Sequence, residues 1–249
     1  MVDRYTMRLD QGTELATNKM ATSRGSCLIV LSSAAEGVSA TSFMQACTLI
    51  NQSFAIQLAS PGGRQAEYVN QDDSNRRWFN EFRSKASSTP IALDTVDVNR
   101  YSAMLIPPCP GAIHDLSCNS DLGQLLVHFI KEKKPICAVG LGVAGLCSAR
   151  KEDGKSWWLE DFCLTAPSLF EVGYLPEFPM MPLVLEDFIK DYGGKYTASE
   201  PDEVHVVIDR NIITGQNHHS TMAAVQNLIL ICSQKQTRLS SSLSTSKFV

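Results

Sequence analysis

No two cysteines of this 249-residue chain stand at CxxC spacing, and no Cys/His run has the spacing of a structural zinc site. The eight cysteines (Cys27, Cys47, Cys109, Cys118, Cys137, Cys147, Cys163 and Cys232) are scattered. Several lie in apolar runs such as Pro135-Ile136-Cys137-Ala138-Val139, which predicts buried, reduced thiols and a cytoplasmic protein. No apolar stretch approaches the ~20 residues of a membrane span, so no membrane insertion is expected. The first residues lack a basic start followed by an apolar run, so no secretory signal is read there. Basic charge is also scarce. Lys and Arg number 22 against 26 Asp and Glu, a net charge of -4, which argues against a self-sufficient nucleic-acid binder. That balance leaves open a local basic patch, or RNA contact through a partner.

What is abundant is apolar residues, 44% of the chain, enough for one sizeable core. Residues 1–26 are polar and aperiodic and read as a disordered leader; residues 27–234 read as one domain without internal repeats; residues 235–249 read as a disordered Ser-rich tail. Within the domain, short apolar runs alternate with helical periodicity. Strands are predicted at Cys27–Leu31, Phe54–Leu58, Ala103–Ile106 and Ile136–Val139, and a hairpin at Val204–Ile208 and Asn211–Thr214 turning at Asp209-Arg210. Helices are predicted over Ser39–Asn51, Asn75–Lys85, Leu122–Lys131, Val143–Ala149, Leu183–Tyr192 and Ser220–Cys232. The first presents Phe43, Ala46, Cys47 and Ile50 on one face. Such alternation predicts an α/β fold, a doubly wound, mostly parallel sheet flanked by helices, with a short antiparallel hairpin added.

In that architecture ligands bind beyond the carboxyl ends of the strands. Three segments lie there: Glu36-Gly37-Val38, Pro107 to Gly111, and Gly140-Leu141-Gly142. The last turns from strand directly into helix. That is the shape of a nucleophile elbow, which exposes one side chain in a strained turn beside amides able to hold an oxyanion. At its tip stands Gly140, which has no nucleophile. The Gly140-x-Gly142 pair is a weak phosphate signal, without a third glycine in dinucleotide register or a P-loop lysine.

The stretch Ile136-Cys137-Ala138-Val139-Gly140-Leu141-Gly142-Val143 resembles the Ala-Val-Cys-His-Gly-Pro elbow of PfpI-type peptidases and the related chaperone/glyoxalase proteins. In that match Gly140 stands where the family has its Cys and Leu141 where it has its His. Leu105 to Asp115, with Cys109-Pro110-Gly111, is similar to the family's oxyanion loop. Leu185 to Ala198 resembles its helix-then-strand piece, and Val206 to Ser220 its Asp-Gly-Arg-Leu-Val-Thr-Gly-Val-Asn hairpin. The resemblance covers roughly residues 27–232, a class I glutamine amidotransferase-like, flavodoxin-like domain. The family's acidic residue on the first helix falls here at Ser39 or Ser42. Nucleophile, base and pKa partner are therefore all replaced, which implies a pseudoenzyme with no catalytic residues. Glu36, Ser39, Ser42, Cys109, Gly111, Gly140, Leu141 and Gly142 are expected to line a vestigial pocket, with no cofactor and no metal. Overall the chain looks most like the glutamine amidotransferase-like class 1 domain-containing proteins, also called Parkinson-disease-type domain-containing proteins. Members of that group are associated with FERRY, a Rab-effector complex on early endosomes that carries mRNA. The resemblance implies an accessory subunit, recruited from the cytoplasm to early endosomes, with protein subunits of that complex as partners and self-association into a homo-oligomer.

Several residues admit a second reading. Cys137 lies inside a strand and reads as structural. Cys109, on a loop facing the elbow, is the candidate nucleophile of an alternative function, a residual glyoxalase/deglycase- or amidase-type hydrolase. His218-His219 suggests a metal or a base, but adjacent turn residues rarely face one site, which favours capping or surface roles. His114-Asp115 reads as a dyad or as Asp115 capping the next helix. Trp157-Trp158 reads either as a partner anchor or as packing. A third function, a sensor that keeps the pocket for binding a small molecule, stays open beside these.

Overall fold

The structure, a computed structural model, describes residues 24–245 and the side chains of 24–235. Its strands are β1 (Ser26–Val30), β2 (Val38–Ser39), β3 (Ala55–Ser60), β4 (Tyr68–Val69), β5 (Ile91–Ala92), β6 (Ala103–Ile106), β7 (Ile136–Val139), β8 (Cys163–Leu164), β9 (Lys195–Tyr196), β10 (Val206–Asp209) and β11 (Ile212–Gly215). The helices are α1 (Ala40–Ile50), α2 (Asp73–Arg83), α3 (Ala112–Asp115), α4 (Ser120–Lys131), α5 (Leu169–Gly173), α6 (Leu185–Asp191) and α7 (Thr221–Thr245).

Seven strands form the central sheet in the order β10-β11-β7-β6-β1-β3-β5. All neighbours are parallel except the β10–β11 hairpin, whose register is Val206↔Gly215 to Asp209↔Ile212. Helices cover both faces, so the central strands have no solvated side and read as unbroken apolar runs. Cys27 to Leu31, Ala103 to Ile106 and Ile136 to Val139 are fully buried. Each buried Leu or Ile contributes about 1.5–3 kcal/mol of transfer free energy. Helix α1 buries Phe43, Ala46, Cys47 and Ile50, the face its 3.6-residue period selects, and packs on α7. Helix α2 starts with a capping box. The Asp72 carboxylate accepts from the Asn75 amide at 2.9 Å and the Asn75 side-chain oxygen accepts from the Asp72 N–H at 3.2 Å. Its Trp78, Phe79 and Phe82 close on Phe43 of α1 and on Tyr68, with Phe43–Phe82 centroids 5.4 Å apart and edge-on.

Four features differ from the sequence-based expectation. The expected leader lies outside the described residues up to 23, and Ser26 already belongs to β1. The segment after β7 is a 3-10 helix, Gly140–Ser148, and not an α-helix over Val143–Ala149. Its turns are closed by short-range bonds, the Ala149 N–H to the Leu146 carbonyl at 3.2 Å and the Ser148 hydroxyl to the Gly145 carbonyl at 2.7 Å. Helix α7 runs to Thr245, so residues 235–245 carry helical backbone where a disordered tail was expected. No Gly or Pro stands after Gly215 to stop it. Finally, the two-residue strand β5 and the β2–β4 and β8–β9 ladders are too short to leave a period in the sequence.

Candidate functional site

The chain leaves β1 toward β3 and β5, then returns to β6 on the other side of β1. The loops after β1 and β6 therefore part at a topological switch point, where open α/β sheets bind ligands. Beside them, at the ends of β6 and β7, lies a cavity of about 880 Å³, within the range of small-molecule sites. Its floor is Pro108, Cys109, Gly140 and Leu141; one wall is Ser39, which caps α1, with Ser42 and Gln45 of α1; the other is Glu171 of α5 and Tyr174 just after it, with Asp202, Asn217, His218 and His219.

The elbow keeps the backbone of a nucleophile turn. Gly140 sits at φ +57°, the left-handed region that L side chains rarely adopt. A Cβ built there meets nothing nearer than the Pro108 side chain at 3.5 Å, an ordinary contact. So the tip has room for a side chain and lacks one. Two residues on, the packing is closed. A Cβ on Gly142 would stand 2.2 Å from the Pro107 carbonyl oxygen, so the chain passes this loop only as glycine. Leu141, where a neighbouring base is expected by the resemblance, is a half-buried apolar wall. Across from it the Ser39 and Ser42 hydroxyls bond each other at 3.3 Å, and the Ser39 N–H donates to the Pro108 carbonyl at 2.9 Å. No carboxylate comes from α1.

The facing carboxylate comes from α5. Ser168 and Glu171 form a capping box, with the Ser168 N–H donating to Glu171 Oε2 at 3.1 Å. The other oxygen, Oε1, accepts from Asn217 Nδ2 at 2.8 Å and from the Asp202 N–H at 3.1 Å. Asn217 in turn donates to the Glu203 carbonyl at 2.8 Å and accepts from the Ser220 N–H and hydroxyl, each at 3.2 Å. One carboxylate and one amide thus tie α5, the 201–203 turn and the start of α7 together over the cavity.

Of the eight expected pocket residues, Ser39, Ser42, Cys109, Gly140 and Leu141 line the cavity. Glu36, Gly111 and Gly142 do not. Glu36 is exposed and points at His114, with Oε1 3.7 Å from Nε2. Gly111 is packed under the β1 loop, where a Cβ would strike the Ser32 hydroxyl at 2.3 Å. Cys109 contributes to the floor with its thiol fully buried, and burial pushes that thiol up to about 12, away from the thiolate a nucleophile needs. His114 and Asp115 form no dyad: the Asp115 carboxylate is held by the Ser32 hydroxyl at 2.8 Å and the Ser33 N–H at 2.7 Å. Trp157 is core, its indole N–H on the Leu146 carbonyl at 2.8 Å and its ring edge-on to Phe188, whereas Trp158 is half-buried under Lys131. Cys27, Cys47, Cys137, Cys147 and Cys232 are buried like Cys109, while Cys118 and Cys163 are exposed. Glu171, Asp202 and Asn217 were not among the expected site residues. Glu171 had one local signal, the Ser-x-x-Glu capping box; nothing local marks Asp202 or Asn217 as its partners. The two histidines after Asn217, read as unlikely to face one site, do face the same cavity.

No helix among the described residues is long and apolar enough to cross a membrane. No family model matches the chain. Curated relatives do. The chain is 48% identical over 225 residues to "glutamine amidotransferase-like class 1 domain-containing protein 1" of Xenopus laevis, covering 90% of this chain and 95% of the relative. It is 50% identical over 213 residues to the Homo sapiens protein of the same name, covering 86% and 96%. Solved structures of like shape include the 24 kDa rapid encystment protein of Francisella tularensis, with a TM-score of 0.74, 20% identity, and 84% and 99% of the two chains covered. Glyoxalase III of Candida albicans is similar, with a TM-score of 0.73, 17% identity, and 83% and 97% covered. At these identities the structures speak for the fold alone, a class I glutamine amidotransferase-like one.

Proposed function

The chain belongs to the glutamine amidotransferase-like class 1 domain-containing proteins, and from that premise we propose that it is a catalytically silent member that works by binding, as an accessory subunit of a multiprotein assembly. The observation that carries this reading is Gly140. The turn that presents a nucleophile is built, with φ +57° and space for a Cβ, and the residue in it has no side chain to react. Neither neighbour replaces it, since Leu141 is apolar and the Cys109 thiol is buried and held protonated.

A binding role is supported by an apolar surface that includes Tyr174 and Leu175 of the cavity lining. Phe170, Tyr174 and Met180 are 74%, 83% and 81% exposed and, with Leu169 and Leu175, make an apolar surface along residues 169–180. The family resemblance supplies the setting: the early-endosomal FERRY complex, its role in mRNA transport, its protein subunits as partners, and a homo-oligomeric state. RNA then reaches the chain only through the assembly.

Affinity purification of the tagged chain from cells, paired with turnover assays on small aldehydes and amides, tests this. A stoichiometric set of endosomal proteins and no turnover is the expected result. A chain that emerges alone and turns over an aldehyde or amide would overturn the proposal.

A further inference from the structure

We propose that Asp202, His218 and His219 form a binding site for a divalent transition-metal ion of the zinc class at the mouth of the elbow cavity. Nothing in this inference depends on whether the elbow is silent.

The three side chains offer one ligand atom each, and these atoms all lie within 4.8 Å of one another. Ligands on a zinc ion at about 2.1 Å stand roughly 3.4 Å apart in a tetrahedron, so the closure needed is about an ångström. All three residues are exposed. Two imidazoles with one carboxylate are the donors that zinc, nickel and divalent copper or cobalt prefer over magnesium or calcium, which take oxygen alone. Three protein ligands would also leave coordination positions open, and all three residues line the cavity.

The backbone is arranged to hold the ligands. In a 3-10 turn successive side chains point about 120° apart. Yet the His218 and His219 rings are in contact, with centroids 3.8 Å apart and planes tilted by 40°. The Asn217 cap fixes that turn, and Glu171 Oε1 binds both Asn217 and the Asp202 N–H. A carboxylate that orients two ligand-bearing loops has the place of an outer-shell residue in a metal site.

Two other histidines are otherwise engaged. His205 uses both ring nitrogens, on the Thr197 hydroxyl at 3.1 Å and the Ser199 hydroxyl at 2.9 Å. His114 faces Glu36, while His128, on α4, has its Nε2 buried without a hydrogen-bond partner among the described residues, away from Asp202 and the 218–219 turn. Among the described residues, the His218 and His219 rings meet each other and no hydrogen-bond acceptor.

Cobalt(II) is the probe. The full chain is prepared metal-free in a Cys118→Ser/Cys163→Ser background, which removes the two exposed thiols. Binding is read by equilibrium dialysis and by the visible bands of cobalt in a low-coordinate nitrogen/oxygen site, with zinc as competitor. One equivalent is expected to bind. The affinity should fall about 100-fold in His218→Ala/His219→Ala and about 10-fold in Glu171→Gln, and stay unchanged in His114→Ala. Cobalt should raise the melting temperature of the parent and leave that of the double variant where it was. Equal binding by parent and double variant, no binding to the parent in large cobalt excess, or equal loss in His114→Ala would each overturn the site. Matching circular dichroism of the metal-free variants shows that they are folded, so a loss of binding reports on the ligands.

Discussion

Glu171 and Asn217, 46 residues apart in sequence, meet through a 2.8 Å hydrogen bond from the Asn217 amide to Glu171 Oε1, and this contact closes the roof of the elbow cavity. It joins a short helix to the turn that starts the last helix, so it fixes the distance between the two sides of the site. A net contribution of about 1–2 kcal/mol is expected, because the acceptor is charged and the donor residue is buried. A double-mutant cycle with Glu171→Gln and Asn217→Ala should give a coupling of about 1 kcal/mol in chemical denaturation. Additive single effects would show that the two residues act separately.

The two elbow glycines should respond unequally. Gly140→Cys places its Cβ in open contact distance and carries only the cost of a left-handed L residue, about 1–2 kcal/mol, or a few degrees of melting temperature. Gly142→Ala drives a methyl against the Pro107 carbonyl and should cost about 3 kcal/mol or more. Thermal melts of both variants decide the matter. A larger loss in Gly140→Cys would mean that the tip has no room for a nucleophile.

Thiol titration of the native protein should report two fast-reacting cysteines, Cys118 and Cys163, and six that react only on unfolding. Burial pushes Cys109 and Cys47 each up to about 12, so their reaction should stay slow across neutral pH. Rapid, selective labelling of Cys109 would restore the hydrolase alternative.

The Asp72 cap gives a pH signature. Hydrogen bonds from Ser74 and Asn75 lower its carboxyl pKa. A lowered carboxylate contributes stability above its unfolded value near 3.8, and loses it as pH falls through the lower folded value. Asp72→Ala should therefore melt earlier than the parent at neutral pH, and the gap should narrow in acid below about 3.8. A gap that is constant with pH would mean that the charged cap is not what Asp72 contributes.

The strands of the sheet were legible because burial on both faces leaves an unbroken apolar run: Ala103–Ile106 and Ile136–Val139 fall where the residues place them. Helix α1 was legible through the spacing of Phe43, Cys47 and Ile50. That a glycine, Gly140, stands at the turn after β7 was legible too, since it is one residue at one turn. The roof of the site was not. Glu171, Asp202 and Asn217 lie in three separate segments, and their hydrogen bonds leave no mark on the period or composition of any one of them. The 3-10 form of Gly140–Ser148 was not read either; its Gly142 packs directly on the Pro107 carbonyl, a contact with a segment distant in sequence.

Local chemistry in the sequence thus determined the α/β alternation, the burial of six of the eight thiols and the glycine at the elbow. These depend on side-chain polarity and period, which act over a few residues. Only the tertiary structure decided that Cys109 is sealed in the core, that Glu36 looks away from the cavity, and that His218 and His219 turn to one side with Asp202. Those outcomes depend on which distant segments the sheet brings together, and long-range packing sets distances that no short stretch of sequence encodes.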